Sequence, residues 1–194
     1  MRAAPGARTG WERFARRMRV PLGFVIAAVF LAAAQPSWTS LACGLLLVVP
    51  GVWLRGYAAG YVKKNAELTR TGPYAYTRNP LYLGSMAIAA GFAVAAWRWW
   101  LVVLLVTMFL AIYIPVILSE ENFLRGAFPG FEEYARRVPR LLPRITPARF
   151  EGLNEAGAGF DPQRYRHHRE YNAAIGAAAI YAVLILRMLF RGRL

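Results

Sequence analysis

Long runs without a single charged residue, set between arginine-rich stretches, restrict what this chain can fold into. Residues 20–54, 79–97, 99–119 and 171–186 contain no Asp, Glu, Lys or Arg. A surface helix of a soluble domain keeps a polar face to water, so its charges recur every few residues. Runs this long belong in a bilayer, where a helix satisfies every backbone N–H and C=O internally. At ~1.5 Å per residue the first run would extend about 52 Å, too long for one span and short for two. Gln35-Pro36-Ser37 divides it, which predicts a tight hairpin of spans at about 20–34 and 38–55. Pro50-Gly51 should kink the second of these. Arg98 divides the next pair, predicting a second hairpin at about 81–97 and 99–119 with Pro115 kinking its later part. Trp97, Trp99 and Trp100 around that turn suit a membrane–water interface, with Arg98 snorkelling to it. A further apolar helix is predicted over 171–190. Its Ala173, Ala174, Gly176, Ala177 and Ala178 would allow close packing, including a homodimer through this helix.

The expected fold is therefore all-α, a polytopic membrane helix bundle with about five transmembrane helices. Residues 1–19, with six arginines and one Glu, form a basic N-terminal interfacial segment in which Trp11, Phe14 and Met18 recur at near-helical spacing. The apolar character simply continues after it, which favours an uncleaved anchor over a removed signal peptide. Residues 20–147 make the core, residues 148–170 a polar linker. Residues 55–78 hold five basic residues and one Glu, and residues 120–170 hold nine arginines and eight acids. By the positive-inside rule these segments and the N-terminus face the cytoplasm. The last helix then carries three arginines to the opposite side, against the rule.

A net charge of +14 usually suggests nucleic acid. Here the charge is confined between apolar runs, so no nucleic-acid partner is expected and membrane lipids are. The one cysteine, Cys43, lies inside an apolar run and is expected to pack in the core. His167 and His168 are adjacent and cannot alone hold a metal, so no metal site is expected.

Two stretches carry chemistry. In residues 71–84, Gly72-Pro73 is a turn signal, and Asn79-Pro80 reads as a helix start with Asn79 as N-cap. A helix N-terminus offers N–H donors and partial positive charge to a carboxylate or phosphate, and Arg78 adds a full charge with a planar fork of donors. The second stretch is Glu120-Glu121 at the end of the fourth apolar helix. Carboxylates there oppose the helix dipole by ~0.3–1 kcal/mol each. One explanation is a solvated end with Arg125 as partner; the other is a hydrogen-bond acceptor for a ribose, an amine or an ammonium. A hairpin brings its two ends to one membrane face, so Arg78-Asn79 and Glu120-Glu121 are expected to share a pocket. Further on, Phe131, Tyr134 and Val138 fall on one face of a short helix that Val138-Pro139 ends. It would lie on the headgroups, cover the pocket, or do both.

Taken in order, Gly72-Pro-Tyr-x-Tyr-x-Arg-Asn-Pro-x-Tyr-x-Gly84, a hairpin, Glu120-Glu121-x-x-Leu124, Tyr134 and Val138-Pro139-Arg140 resemble the isoprenylcysteine carboxyl methyltransferase family. The wider phospholipid methyltransferase-like group shares parts of the pattern, which covers about residues 60–144. The resemblance implies an integral membrane enzyme using S-adenosylmethionine without a Rossmann domain, its cofactor-binding segment facing the cytoplasm. It implies cofactor contacts at Glu67, Leu68, Thr69, Tyr74, Arg78, Asn79, Pro80, Leu81, Tyr82 and Glu121, with Glu120 and Arg78 as catalytic residues. Tyr74 and Tyr82 would flank the adenine. Two departures stand out: Asn79 replaces the family's histidine, and Ile114-Pro115-Val116-Ile117 lacks the arginine that eukaryotic members carry before the glutamates. An ionised carboxylate acceptor needs no general base, which favours O-methylation of a lipophilic, isoprenylcysteine-like or lipid carboxylate entering from the bilayer. A phospholipid-type N-methyltransferase and a non-catalytic scaffold of the same fold are the alternatives. A sterol-reductase type would need a longer chain with more spans.

Overall fold

A computed structural model describes residues 10–63, 66–150 and 159–191. The expectations for residues 1–9, for the side chain of Trp11 and for residues 151–158 lie outside the described residues. The described chain is helical without strands. Helix α1 spans Gly10–Ala33 and α2 spans Trp38–Tyr61; after a 3-10 turn at Gly72–Ala75, α3 spans Pro80–Ala96. One continuous helix follows, made of α4 (Trp99–Met108), a π-helical turn (Phe109–Tyr113) and α5 (Ile114–Ala127). Then come α6 (Phe131–Arg137), α7 (Pro162–His167) and α8 (Tyr171–Arg191). Three helices, Trp38–Tyr61, Trp99–Ala127 and Tyr171–Phe190, are long and apolar enough to cross a membrane, and Pro21–Ala33 and Pro80–Ala96 are shorter apolar helices. The chain is an all-α membrane protein.

Several boundaries differ from the sequence expectation, each for a physical reason. α1 is continuous through residues 10–33 with Pro21 inside it, rather than starting at residue 20. α2 runs six residues past Arg55, because that arginine is absorbed by partners within the fold and does not mark a helix end. The long helix accommodates Pro115 by widening rather than merely kinking. Proline lacks an N–H and its ring crowds the carbonyl four residues back; the π turn immediately before it, closed by Ile114 N–H on the Phe109 carbonyl, relieves that crowding. α5 then continues to Ala127, so Glu120 and Glu121 lie two turns inside a helix, where the end-of-helix dipole does not oppose them.

The chain forms two compact units, one of residues 1–46, 89–127 and 179–194, the other of residues 47–88 and 128–178. In the first, Ser37 and Ser40 start α2 with reciprocal bonds, Ser40 N–H to Ser37 Oγ at 3.1 Å and Ser37 N–H to Ser40 Oγ at 2.9 Å. Ser40 Oγ also donates to the Ala95 carbonyl at 2.9 Å. α2, α3 and α8 close in around Gly44, where a methyl group would lie 2.6 Å from both the Gly91 carbonyl oxygen and the Tyr181 hydroxyl. Buried Ala177, Tyr181 and Leu184 form the packed face of α8, whereas Ala174, Gly176 and Ala178 are exposed. Cys43 is exposed, contrary to the core role expected of it. The buried stripe of α2 runs through Ser40, Leu41, Gly44, Val48 and Gly51, and residue 43 falls beside it.

The last carbonyls of α1 are capped by arginine. Arg98 Nε lies 3.4 Å from the Ala33 carbonyl, and Arg187 donates to the carbonyls of Leu31 and Ala32. Cations at a helix C-terminus are favoured by its dipole. Arg98 therefore does more than snorkel, and one of the three arginines that seemed to violate the positive-inside rule has a local partner.

Candidate functional site

In the second unit the 71–84 stretch is built as a rigid junction. Gly72 has φ +57, and a methyl group there would meet the Tyr61 ring at 2.4 Å. Pro73 opens the 3-10 turn, its fixed φ suited to that position. Tyr74, Thr77 and Pro80 are buried. The Asn79 carbonyl accepts the first bond of α3, from Leu83 N–H at 3.0 Å.

A strap of residues 138–150 runs antiparallel to this junction and holds it. Arg78 N–H donates to the Pro139 carbonyl, Arg144 N–H to the Tyr76 carbonyl and Ala148 N–H to the Ala75 carbonyl, each at 2.9 Å. Thr77 Oγ1 faces the carbonyls of Arg140 and Leu141 at 3.2 and 3.0 Å and accepts from Asn79 N–H at 3.4 Å. Asn79 Nδ2 donates to the Arg140 carbonyl at 3.0 Å. The apolar face expected of α6 is real, but it packs inward: Phe131, Tyr134 and Val138 are buried, and the Tyr134 hydroxyl donates to the Tyr74 carbonyl at 2.8 Å. Val138 takes the extended conformation that a following proline favours. Glu132 and Glu133 lie in the first turn of α6 and Arg136 and Arg137 in the last, the arrangement its dipole prefers.

Tyr74, Arg78, Asn79, Pro80, Leu81 and Tyr82 are brought together at the junction. The Arg78 guanidinium lies over the Phe131 ring, 6.0 Å from its centroid, and its Nε is buried. Residues 67–69 precede the junction: Glu67 is exposed and paired with Lys63 at 2.6 Å, Leu68 is half-buried, and Thr69 Oγ1 accepts from Lys63 N–H at 3.2 Å. Glu120 and Glu121 belong to the first unit; Glu120 is half-buried and Glu121 only 4% exposed. Arg125, one turn further on, donates to Asn122 Oδ1 at 3.0 Å.

Residues that sequence reasoning did not single out complete the second unit. Arg55 of α2 makes a forked pair with Glu170: Nε to Oε2 at 3.1 Å, Nη2 to Oε1 at 3.1 Å and Nη2 to Oε2 at 2.8 Å. Its Nη1 donates to the Leu81 carbonyl at 3.3 Å and to Ser85 Oγ, so it grips the first turns of α3. The available signal was positional, since Arg55 and Glu170 each border a charge-free run. The expected polar linker is also structured over residues 159–170. It caps the C-terminus of α2 through Asp161 N–H to the Gly60 carbonyl at 3.0 Å and Arg164 Nη1 to the carbonyls of Gly60 and Tyr61 at 3.2 and 3.1 Å. Phe160 packs flat on Gly60, where a methyl group would sit 2.3 Å from its ring, and stacks on Tyr57 at 6.1 Å. Asp161 caps α7, and the Gln163 N–H, aided by Arg164, holds its carboxyl below the ordinary value of 3.8. Among the described residues no group of three His, Cys, Asp or Glu side chains could hold a metal ion.

A family model described as phospholipid methyltransferase matches residues 39–130. The chain is 32% identical over 165 residues to the nickel-cobalt-cadmium resistance protein NccN of Alcaligenes xylosoxydans xylosoxydans, covering 78% of this chain and 76% of that protein. It is 34% identical over 142 residues to the cobalt-zinc-cadmium resistance protein CzcN of Cupriavidus metallidurans, covering 69% and 65% of the two chains. No solved structure matches.

Proposed function

Because the chain belongs to the phospholipid methyltransferase family, we propose that this membrane methyltransferase uses S-adenosylmethionine to O-methylate a carboxylate on a lipophilic substrate drawn from the bilayer. In this reading the chain is multi-pass and works at the cytoplasmic face. The observation that carries it is the junction at residues 78–82, where the strap fixes the Arg78 backbone and the Asn79 amide beside the first turn of an apolar helix and the Arg78 guanidinium lies over Phe131. That donor set fits an amino-acid carboxylate. The dipole of α3 favours an anion at this N-terminal end.

When bound, the cofactor supplies an activated methyl group and departs as a neutral thioether. The chain's own residues bind and orient. Arg78 and the α3 N-terminus hold the anionic end, while residues 67–69, Tyr74 and Tyr82 border the cofactor. A carboxylate acceptor is already ionised at neutral pH, so the absence of a proton acceptor at Asn79 does not impede attack. What remains for the protein is alignment and exclusion of water.

The family description favours a second reading, methylation of a phospholipid amine. The relatives' names suggest a setting in metal resistance, to which this chain would contribute by modifying a membrane component. Incubating the pure protein in nanodiscs with methyl-labelled cofactor and lipid extract separates the readings. Base-labile label, released as methanol, supports O-methylation; base-stable label confined to amines refutes it. In calorimetry with S-adenosylhomocysteine, Arg78→Ala should weaken binding roughly 10-fold or more, the value of a charged hydrogen bond. Unchanged affinity removes Arg78 from the site.

A further inference from the structure

The strap that holds the junction presents an outer surface that the methyl-transfer chemistry does not use. Ile145 is 99% exposed and Leu142 79% exposed. The same stretch of chain carries Arg136, Arg137, Arg140, Arg144 and Arg149, all exposed, with Arg137 paired to Glu133 at 2.9 Å. Pro139, Pro143 and Pro147 recur every fourth residue and restrict the backbone, which lowers the entropy lost in displaying the two apolar side chains. α6 supplies no competing membrane-facing surface with its apolar face, because that face is buried on the junction.

The height of this surface is fixed by bonding. The strap is hydrogen-bonded to residues 75–79, and the apolar helix α3 begins at Pro80. Leu142 and Ile145 are therefore tethered at the end of a helix whose body is apolar, close to where hydrocarbon meets headgroups. We propose that the 139–149 strap is a docking loop for an anionic bilayer surface, with Leu142 and Ile145 entering the acyl boundary and the arginines binding lipid phosphates. Basic residues beside apolar ones at this depth read negative lipid charge, and their attraction fades with salt. The same bonds transmit docking to the junction, since the strap cannot tilt without moving Arg78 and Asn79. The inference does not depend on which acceptor is methylated.

The test uses the full chain in nanodiscs of phosphatidylcholine, alone or with about one third phosphatidylglycerol as the anionic lipid. Ile145→Cys, made with Cys43→Ser, carries an environment-sensitive fluorophore; both positions are exposed, so neither change disturbs packing. The label should be blue-shifted and quenched by headgroup-level spin-labelled lipid, several-fold more in the anionic discs, and high salt should reduce the difference. Adding Arg136→Gln and Arg149→Gln should also reduce it. A label equally exposed in both lipids, as expected if a protein partner covers the loop instead, or equally buried in both, overturns the proposal. Because no cofactor is present, the outcome is independent of catalysis.

Discussion

Replacing Arg55 by Met should destabilise the protein more than replacing Glu170 by Gln, and the two effects should not add. The pair has three nitrogen–oxygen contacts of 2.8–3.1 Å and side chains 24% and 12% exposed. Exposed pairs are worth ~0–1 kcal/mol, whereas removing one member of a buried pair costs ~3–5 kcal/mol. These exposures place Arg55→Met at about 2–3 kcal/mol, because it strands a carboxylate in a mostly buried position. Glu170→Gln leaves Arg55 bonded to the Leu81 carbonyl and Ser85, and should cost about 1–2 kcal/mol. In Arg55→Met/Glu170→Gln no charge remains to be stranded, and the Leu81 carbonyl keeps its 3.0 Å bond from Ser85. The double variant should thus be no worse than Arg55→Met alone, giving a coupling energy of at least ~1 kcal/mol. Equilibrium unfolding in mixed micelles, followed by tryptophan fluorescence, measures all four corners of the cycle. Additivity within ~0.5 kcal/mol would show that the fork contributes nothing as a pair and refute the reasoning.

Gly44→Ala should cost about 1–3 kcal/mol by overpacking, since the added methyl meets two oxygens at 2.6 Å; Gly176→Ala, with nothing within 4 Å, should be neutral or stabilising by up to ~1 kcal/mol. Equal midpoints for the two in a thermal unfolding series would contradict the helix packing described. Thr77→Val keeps the shape but removes the hydroxyl that serves Asn79, Arg140 and Leu141, at a cost of about 1–3 kcal/mol, and hydrogen exchange should rise in both the junction and the strap. Asp161 has a folded pKa below its ordinary value, so its contribution is present above the unfolded value and is lost as pH falls through the folded one. Proteolysis of residues 159–168 should therefore accelerate below about pH 4, and Asp161→Asn should flatten that dependence; an unchanged acid profile in the variant would exclude the cap as its source.

What could be read from the sequence was whatever is encoded locally. Charge-free runs identified the apolar helices, and Gly72-Pro73 with Asn79-Pro80 located the turn and the start of α3. A charge bordering an apolar run does not mark a helix end in this chain. Arg55 is tolerated inside α2 because its partner lies 115 residues away, and no local pattern records that. Glu120 and Glu121 read as a helix end because the apolar run stops at Ser119, yet helical hydrogen bonding continues through polar residues to Ala127. The residue types of the junction were legible, but the strap that fixes it was not. Its bonds to residues 75–79 are mostly through backbone carbonyls, which every residue carries. The inward-facing apolar stripe of α6 was visible as a stripe, and only the fold decided between lipid and Tyr74 as its partner.

The capping of α1 by Arg187 also bears on biogenesis. The first described helix acquires part of its C-terminal cap from a side chain 155–156 residues later in the chain. During translation α1 must therefore wait, its terminal carbonyls served by water, headgroups or the insertion machinery, until the last helix has been delivered. A nascent chain stalled before that point would display an unfinished helix end.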